Sequence, residues 1–167
     1  MEPADAKDRL RRRLLWRLVN GLYLLGSRLG EERNLMTCSW VTQVCATPKL
    51  VGVGVEAGAV TRRLVGEGRG FALSMLRRED RALVRRYVKP AAHDAAARTL
   101  GGAPYEDAPV TGAPVLASAA AWIDCTLHSA IELGSHVLFV GEVADIGCDD
   151  QSFEILRMED TLMNYGG

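Results

Sequence analysis

The strongest constraint on the fold is a pair of alternating segments in the C-terminal half of the chain. Between Trp122 and Ile131, one face of an extended chain carries apolar residues and the other polar ones (Ile123, Cys125, Leu127 and Ile131 against Asp124, Thr126, His128 and Glu132). A second alternating segment runs from His136 to Ile146, and Gly134-Ser135 lies between them. The pattern predicts two half-buried strands joined by a turn.

Shorter segments predict further strands and helices. Strands are expected at 21–26, 34–44, 50–55, 71–76 and 115–117, and helices at 5–19, from Gly58 to about Gly66, and at 79–88 before Pro90. Residues 91–114, rich in Ala, Gly and Pro, are expected to form a surface excursion with at most one helical turn. Six or seven strands joined mostly by short turns predict a mainly β fold, a closed, Greek-key-like antiparallel β-barrel with flanking helices.

The 167 residues suffice for one domain with its own core. We expect an N-terminal amphipathic helix within residues 1–20 and a single domain over 21–167. The final segment, 155–167, is too apolar for a free terminus, so we expect it to dock.

The predicted N-terminal helix carries a stripe of leucines (Leu10, Leu14, Leu15 and Leu18) opposite several arginines. Basic amphipathic helices can lie on membranes, but packing on the chain's own barrel or on a partner subunit is the alternative we expect. Arg17 and Asn20 interrupt the apolar region, which argues against a signal peptide. No apolar run reaches the ~18 residues of a membrane span, so no membrane partner is expected.

Charge and cysteine content narrow the function. The net charge is −1, which gives no reason to expect nucleic acid as a partner. The four cysteines form no C-x-x-C pair and are expected to be reduced in a cytoplasmic protein. Cys38 and Cys45 are seven residues apart and the histidines are scattered, so no metal site is predicted.

One predicted strand is crowded with small polar and aromatic side chains that a sheet does not need in order to fold. It comprises Asn34, Leu35, Met36, Thr37, Cys38, Ser39 and Trp40, and a Pro turn and an apolar strand follow it. A planar ligand with a polar edge would need such a surface, and we interpret the stretch as one wall of a flavin site. Alternatively, Trp40 anchors the core and Asn34 serves a turn.

Three other positions are candidates for the same site. Thr61 begins a predicted helix, whose free N–H groups suit a phosphate, and Arg62 and Arg63 would add charge. Lys89, restrained by Pro90, could neutralise a phosphate or a reduced ring, and His136 could contact the ring edge or guide a nicotinamide. An ordinary helix cap, a solvated lysine and an exposed histidine are the alternatives. The sequence contains no P-loop, no G-x-G-x-x-G after a strand and no G-x-S-x-G elbow.

In order and spacing, these segments resemble the flavin reductase-like family with its FMN-binding split barrel, and in particular its flavoredoxin-like branch. The matching residues are Asn34-x-Met36-Thr37-x-Ser39-Trp40, Pro48-x-Leu50-Val51-Gly52, Thr61, Phe71-Ala72-Leu73-Ser74-x-Leu76, Gly112-x-Pro114-Val115-Leu116, Asp124-Cys125 and Gly134-Ser135-His136-x-Leu138-Phe139-Val140-Gly141-Glu142-Val143.

The resemblance implies FMN bound non-covalently in a homodimer. Asn34, Ser39 and Trp40 would line the FMN, Thr61 would contact its phosphate, and Lys89 and His136 would lie near the ring. Tyr165 falls where the family often has an aromatic residue near the flavin. The chain departs from the family at Pro48-Lys49, where many members have two prolines, and at Cys45, where they have serine.

We therefore expect an NAD(P)H:flavin reductase in which nicotinamide passes hydride to the flavin, with His136 as the catalytic residue. A flavin-dependent monooxygenase or an electron-transfer protein would be its partner. The alternative is an FMN electron carrier that serves a partner protein and uses nicotinamide poorly, with the basic helix as its docking face.

Overall fold

The computed structural model describes residues 3–149 and 151–163. The α-helices are Pro3–Leu15 (α1) and Val60–Gly68 (α2), and two 3₁₀ helices span Arg78–Tyr87 and Met158–Asp160. The strands are Tyr23–Leu29 (β1), Glu32–Cys38 (β2), Val41–Cys45 (β3), Leu50–Glu56 (β4), Gly70–Met75 (β5), His93–Asp94 (β6), Thr99–Leu100 (β7), Ala103–Asp107 (β8), Pro114–Leu116 (β9), Ala121–Glu132 (β10) and His136–Cys148 (β11).

Seven antiparallel strands form one curled sheet in the order β2-β1-β5-β10-β11-β4-β3. Its edge strands, β2 and β3, are consecutive in the chain and are separated only by Ser39 and Trp40. The edges of a flat seven-stranded sheet would lie about 29 Å apart, whereas this linker can span about 11 Å. The sheet must therefore curl into a barrel whose edges meet at one seam.

The predicted mainly β barrel is confirmed, but two details of the sequence interpretation are wrong. The run 34–44 is not one strand, because it breaks at Ser39-Trp40 and its halves lie at opposite edges of the sheet. The sheet is also not closed by a continuous ladder. At the seam, the Gly54 N–H donates to the Trp40 carbonyl oxygen at 2.9 Å, and the Cys38 thiol lies 3.8 Å from the Gly54 oxygen.

The β10–β11 hairpin is present as predicted, with register shifts at Asp124/Cys125 and Leu127/Ser129. Ile131 lies near the end of the hairpin, where Ala130 and Glu132 are exposed as well, and it is 48% exposed. Asp124, assigned to the polar face, is instead buried. Its carboxylate accepts hydrogen bonds from the backbone N–H groups of Val110 and Thr111, which compensates for its burial.

Two clusters make up most of the core. One fills the barrel and includes Leu25, Val53, Phe71 and Phe139. The second lies outside β1 and β2, where the first 3₁₀ helix and the C-terminal segment cover them; it contains Leu22, Leu24, Leu35, Val84, Tyr87 and Leu156. The expected docking of the C-terminal segment is thus seen up to Met163, since the Leu156 carbonyl accepts from Leu22 and its N–H donates to Leu76.

The prediction of an irregular excursion over residues 91–114 is wrong. Strands β6 to β9 form a small antiparallel sheet that buries Leu100 and Tyr105. Arg33 of β2 ties it to the barrel through a two-point contact with Asp107, at 2.8 and 3.3 Å.

Helix α1 ends at Leu15, four residues before the predicted end. Its leucine stripe does not pack on the chain's own barrel, since Leu10, Leu14 and Leu15 are each more than half exposed. That part of the expectation is wrong. None of the described helices is long and apolar enough to cross a membrane.

Candidate functional site

A cavity of about 520 Å³ opens beside the barrel seam. Strand β2, the start of α2, the end of the first 3₁₀ helix and the C-terminal segment surround it. Its lining is Leu22, Asn34, Met36, Thr37, Ser39, Glu56, Gly58, Ala59, Val60, Thr61, Val88, Lys89, Pro90, Met158 and Met163. Mostly apolar walls with a few polar groups are typical of small-molecule sites.

Asn34 and Thr61 form the polar centre of this cavity. Both are buried, with exposed fractions of 5% and 1%. The Asn34 Nδ2 donates to Thr61 Oγ1 at 3.1 Å, and Asn34 Oδ1 accepts from the Ala91 N–H at 3.2 Å. One amide therefore connects β2, α2 and the segment after Pro90. Because Thr61 Oγ1 accepts this bond, its own proton remains available for a ligand oxygen.

The N-terminus of α2 faces the same space. Ala59 occupies the N-cap position without a side-chain cap, and the first turn contains no acidic residue. The free N–H groups of such a helix end attract anions. Arg62 and Arg63 do not line the cavity. They form surface ion pairs with Glu132 at 2.8 Å and Glu32 at 2.6 Å, respectively.

Four other predicted residues line the cavity: Met36, Thr37, Ser39 and Lys89. The Thr37 hydroxyl donates to the Val84 carbonyl at 2.6 Å, which fixes the 3₁₀ helix against β2. This contact also positions Lys89, which lies two residues beyond the last residue of that helix. Lys89 brings a cation to the cavity.

Cys38 is directed into the barrel and does not line the cavity. It belongs to the barrel core and is 4% exposed. Burial raises the pKa of its thiol to about 12, so the sulfur is neutral at physiological pH. Cys38 lies on the same face of β2 as Met36, two residues further along the strand, and its side chain belongs to the barrel core.

Trp40 and His136 pack together beside the cavity, outside its lining. Their ring centroids are 4.6 Å apart, and the Trp40 side chain covers Gly54 of β4. His136 Nδ1 lies 2.9 Å from Ser135 Oγ, and its Nε2 is buried without a partner among the described residues. Across the β4–β11 ladder, His136 pairs with Glu56, which does line the cavity.

Tyr165 lies outside the described residues. Sequence reasoning missed Glu56, Leu22, Met158 and Met163, which the cavity brings together. The apolar C-terminal segment signalled that it would dock, but not where. Glu56 carried no signal, because an acidic residue at a strand end is an ordinary surface residue.

Comparison with known proteins decides the family. The sequence matches the flavin reductase like domain over residues 15–166. The chain belongs to the flavin reductase-like family. This confirms the resemblance inferred from its motifs, and with it the mainly β, split-barrel fold.

Individual relatives agree. The chain is 31% identical to "Putative diflavin flavoprotein A 1" of Nostoc sp. (strain PCC 7120), over 79% of this chain but 23% of that protein, in line with the flavoredoxin-like branch. The Streptomyces globisporus NADH:FAD oxidoreductase SgcE6, solved with NAD and FAD fragments, superposes with a TM-score of 0.77 at 27% identity, covering 94% of this chain and 92% of that one. An FMN-binding protein from Thermus thermophilus gives a TM-score of 0.68 at 27% identity, covering 80% and 74%. The chain spans between 20% and 56% of the length of its curated relatives.

The residues present fit a flavin. The cavity offers an apolar surface for a ring system from Met36, Val88 and Met158, and hydrogen-bonding groups at Asn34 and Thr61. An uncapped helix start and one lysine would receive a phosphate.

Proposed function

We propose that this chain is an FMN-dependent NAD(P)H:flavin oxidoreductase whose flavin lies in the cavity between β2 and the start of α2. The observation that supports this most directly is the buried Asn34–Thr61 pair at the uncapped N-terminus of α2. A buried amide and hydroxyl that meet at a helix end, on the wall of a mostly apolar cavity, suit a ligand with a flat body and an anionic tail.

Each residue has a separate task in this proposal. The flavin, when bound, supplies the hydride chemistry, so no protein nucleophile is required. The Thr61 hydroxyl donates a hydrogen bond to the phosphate, beside the N–H groups at the start of α2. Asn34 holds Thr61 in that orientation. Lys89 stabilises negative charge in the cavity, either on the phosphate or on the reduced ring.

FMN is favoured over FAD by the number of anion-binding elements. Among the residues that the structure describes, the cavity has one free helix start and one cation, Lys89. Arg62 and Arg63 are engaged with carboxylates, and Glu56 adds a negative charge to the lining. A single phosphate therefore matches the site better than a diphosphate does. SgcE6, in contrast, is described as an NADH:FAD oxidoreductase.

His136 is the proposed catalytic residue, at the side of the cavity from which a nicotinamide would approach. Its Nε2, which has no partner among the described residues, could bind the nicotinamide or the ring edge after a small side-chain movement. Trp40 and Ser135 would orient the imidazole. Tyr165 and Trp40 stay proposed neighbours of the flavin, whereas the barrel-core position of Cys38 and the surface ion pair of Arg62 favour structural roles for these two.

We also propose that the protein is a cytoplasmic homodimer that delivers electrons to a flavin-dependent monooxygenase or an electron-transfer protein. The exposed leucines of α1 supply an apolar surface for a second subunit. The match to 23% of a Nostoc relative named a diflavin flavoprotein supports a role in which this unit works beside a further flavoprotein unit.

Anaerobic reduction of the purified protein tests the function. Protein loaded with FMN is mixed with NADH or with NADPH, and the flavin absorbance is followed in a stopped-flow instrument. We expect 1:1 FMN and rapid bleaching with one of the nicotinamides. A protein that stays colourless in excess FMN, FAD or riboflavin would refute the proposal.

An electron carrier is the second candidate, favoured by the match to a 23% segment of a diflavin flavoprotein. The same experiment separates the two. A carrier binds FMN but is bleached slowly by either nicotinamide until a reduced partner protein is added.

A further inference from the structure

The C-terminal segment supplies part of the cavity wall. Met158 and Met163 both line the cavity. The segment is anchored at Leu156, which is fully buried and bonded through its backbone to Leu22 and Leu76. Beyond this anchor, Met158 and Met163 pack against the second core cluster as partly buried side chains, and Leu162 is 94% exposed.

One carboxylate organises the part beyond the anchor. Asp160 accepts a hydrogen bond from the Arg157 N–H at 3.0 Å and one from Arg78 Nε at 2.8 Å. Its side chain is 8% exposed, although it lies on a surface segment. These contacts lower the pKa of Asp160, the Arg157 N–H first and Arg78 after it, so the carboxylate stays charged at physiological pH.

Arg78 is well placed to hold the Asp160 carboxylate, because contacts with residues that precede Leu156 fix its own position. The Arg78 N–H donates to the Glu154 carbonyl at 2.9 Å, and its neighbour Arg77 bridges to Ile155. The Arg78 side chain also reaches Glu154, at 3.3 Å. Arg78 thus connects Glu154, which precedes Leu156, to Asp160, which follows it.

We propose that residues 157–163 form a movable wall of the flavin cavity, and that Arg78, acting through Asp160, is the positioning residue that holds this wall closed. The inference rests on the proposed function, since the wall matters only if the cavity holds the flavin. Opening would move Met158 and Met163 away from the ring and let the flavin leave. Arg78 itself does not line the cavity, so its effect on the flavin is indirect.

The release rate of FMN tests the proposal. Arg78→Gln and Asp160→Asn should each raise the FMN dissociation rate constant by about two- to fivefold, the range expected when one surface ion pair is lost. The double variant should show little more than the larger single effect, because both substitutions remove the same contact. Arg98→Gln is the matched control: Arg98 is similarly exposed, 57% against 61%, and pairs with Asp107 at 3.5 Å, away from the cavity.

Amide hydrogen exchange provides a second readout that does not depend on FMN. The N–H groups of Met158 and Thr161, bonded to Asn20 and to Met158, should exchange faster in Arg78→Gln than in the wild type. Faster exchange with an unchanged FMN release rate would overturn the role of the wall. Unchanged exchange would overturn the role of Arg78. If the wild type binds no FMN, the proposed function fails and the inference fails with it, while the exchange data still report whether Arg78 holds the segment.

Discussion

Thr61 belongs both to the packing of α2 on β2 and to the proposed flavin site. Thr61→Ala should weaken FMN binding by about 1–2 kcal/mol, because it would remove the proposed charge-assisted hydrogen bond to the phosphate. It should also lower the free energy of unfolding by about 1–3 kcal/mol, since Asn34 Nδ2 loses its acceptor in a buried place.

Thr61→Ser is the control because it keeps the hydroxyl oxygen and removes only a methyl group. Fluorescence titration of FMN and urea unfolding measure the two effects. An FMN dissociation constant in Thr61→Ala equal to that of wild type would count against the phosphate assignment.

His136→Ala should slow hydride transfer by about a hundredfold, the lower end of what a positioned acid–base side chain contributes, and leave FMN affinity close to wild type. FMN affinity should change little because His136 lies beside the cavity and is not one of its lining residues. Stopped-flow reduction separates the rate from the affinity. His128→Ala, at an exposed position of β10, is the control, and equal rates in both variants would leave His136 a structural role only.

Arg33 and Asp107 should make stability depend on acid pH. Burial pushes the pKa of Asp107 up, but the hydrogen bond and charge of Arg33 outweigh it, and the pKa lies below its usual value of 3.8. A lowered pKa in the folded state adds stability above the unfolded pKa, and this is lost as pH falls through the folded one. Arg33→Gln should cost about 2 kcal/mol at pH 7, and the difference from wild type should narrow below about pH 4. Urea unfolding across this pH range measures the free energy of unfolding of both proteins. A difference between them that stays constant with pH would mean that the loss comes from packing and not from the ion pair.

At the scale of elements, α2 contains two glycines with opposite requirements. A Cβ on Gly68 would lie 1.9 Å from the Arg28 carbonyl oxygen of β1, whereas a Cβ on Gly66 would meet no atom within 4 Å. Close contact with a backbone oxygen cannot be relieved by a side-chain rotation. Gly68 is therefore required by the packing of α2 on β1, and Gly66 is not.

Gly68→Ala should destabilise the protein by about 1–3 kcal/mol through overpacking, and Gly66→Ala should stabilise it by about 0.5–1 kcal/mol through helix propensity. Thermal unfolding of the two variants gives the comparison directly. Equal shifts in the two variants would show that α2 can move away from β1.

At the scale of the whole molecule, the four thiols divide by depth. Cys38 and Cys125 are buried, and burial raises the pKa of each to about 12, while Cys148 is exposed and Cys45 partly so. A thiol reagent at pH 8 should modify Cys148 and Cys45 quickly and the other two only when the barrel opens. Quantifying thiols with and without denaturant measures this, and four rapid reactions would contradict it.

The same pKa values predict alkaline destabilisation. The thiols ionise in the unfolded chain from the ordinary value of 9.0, but in the folded chain only near 12. Between these values the unfolded state is favoured progressively, so the free energy of unfolding should fall above about pH 9.

The sequence by itself determined the features that depend on a local pattern of residues. Alternation along 122–131 and 136–146 specified the long hairpin, because burial of one face of a strand follows a period of two. Its motifs specified the family, and six of the residues interpreted as flavin contacts do line one cavity: Asn34, Met36, Thr37, Ser39, Thr61 and Lys89.

Only the tertiary structure decided where the barrel divides and what completes the site. The run 34–44 breaks because Ser39 and Trp40 must cross the seam, and the small sheet at 93–116 has strands too short to show a period. Met158 and Met163 reach the cavity through a segment anchored more than a hundred residues from Asn34. Contacts of that kind arise from how the elements pack, and tertiary packing produces no periodic pattern in the sequence.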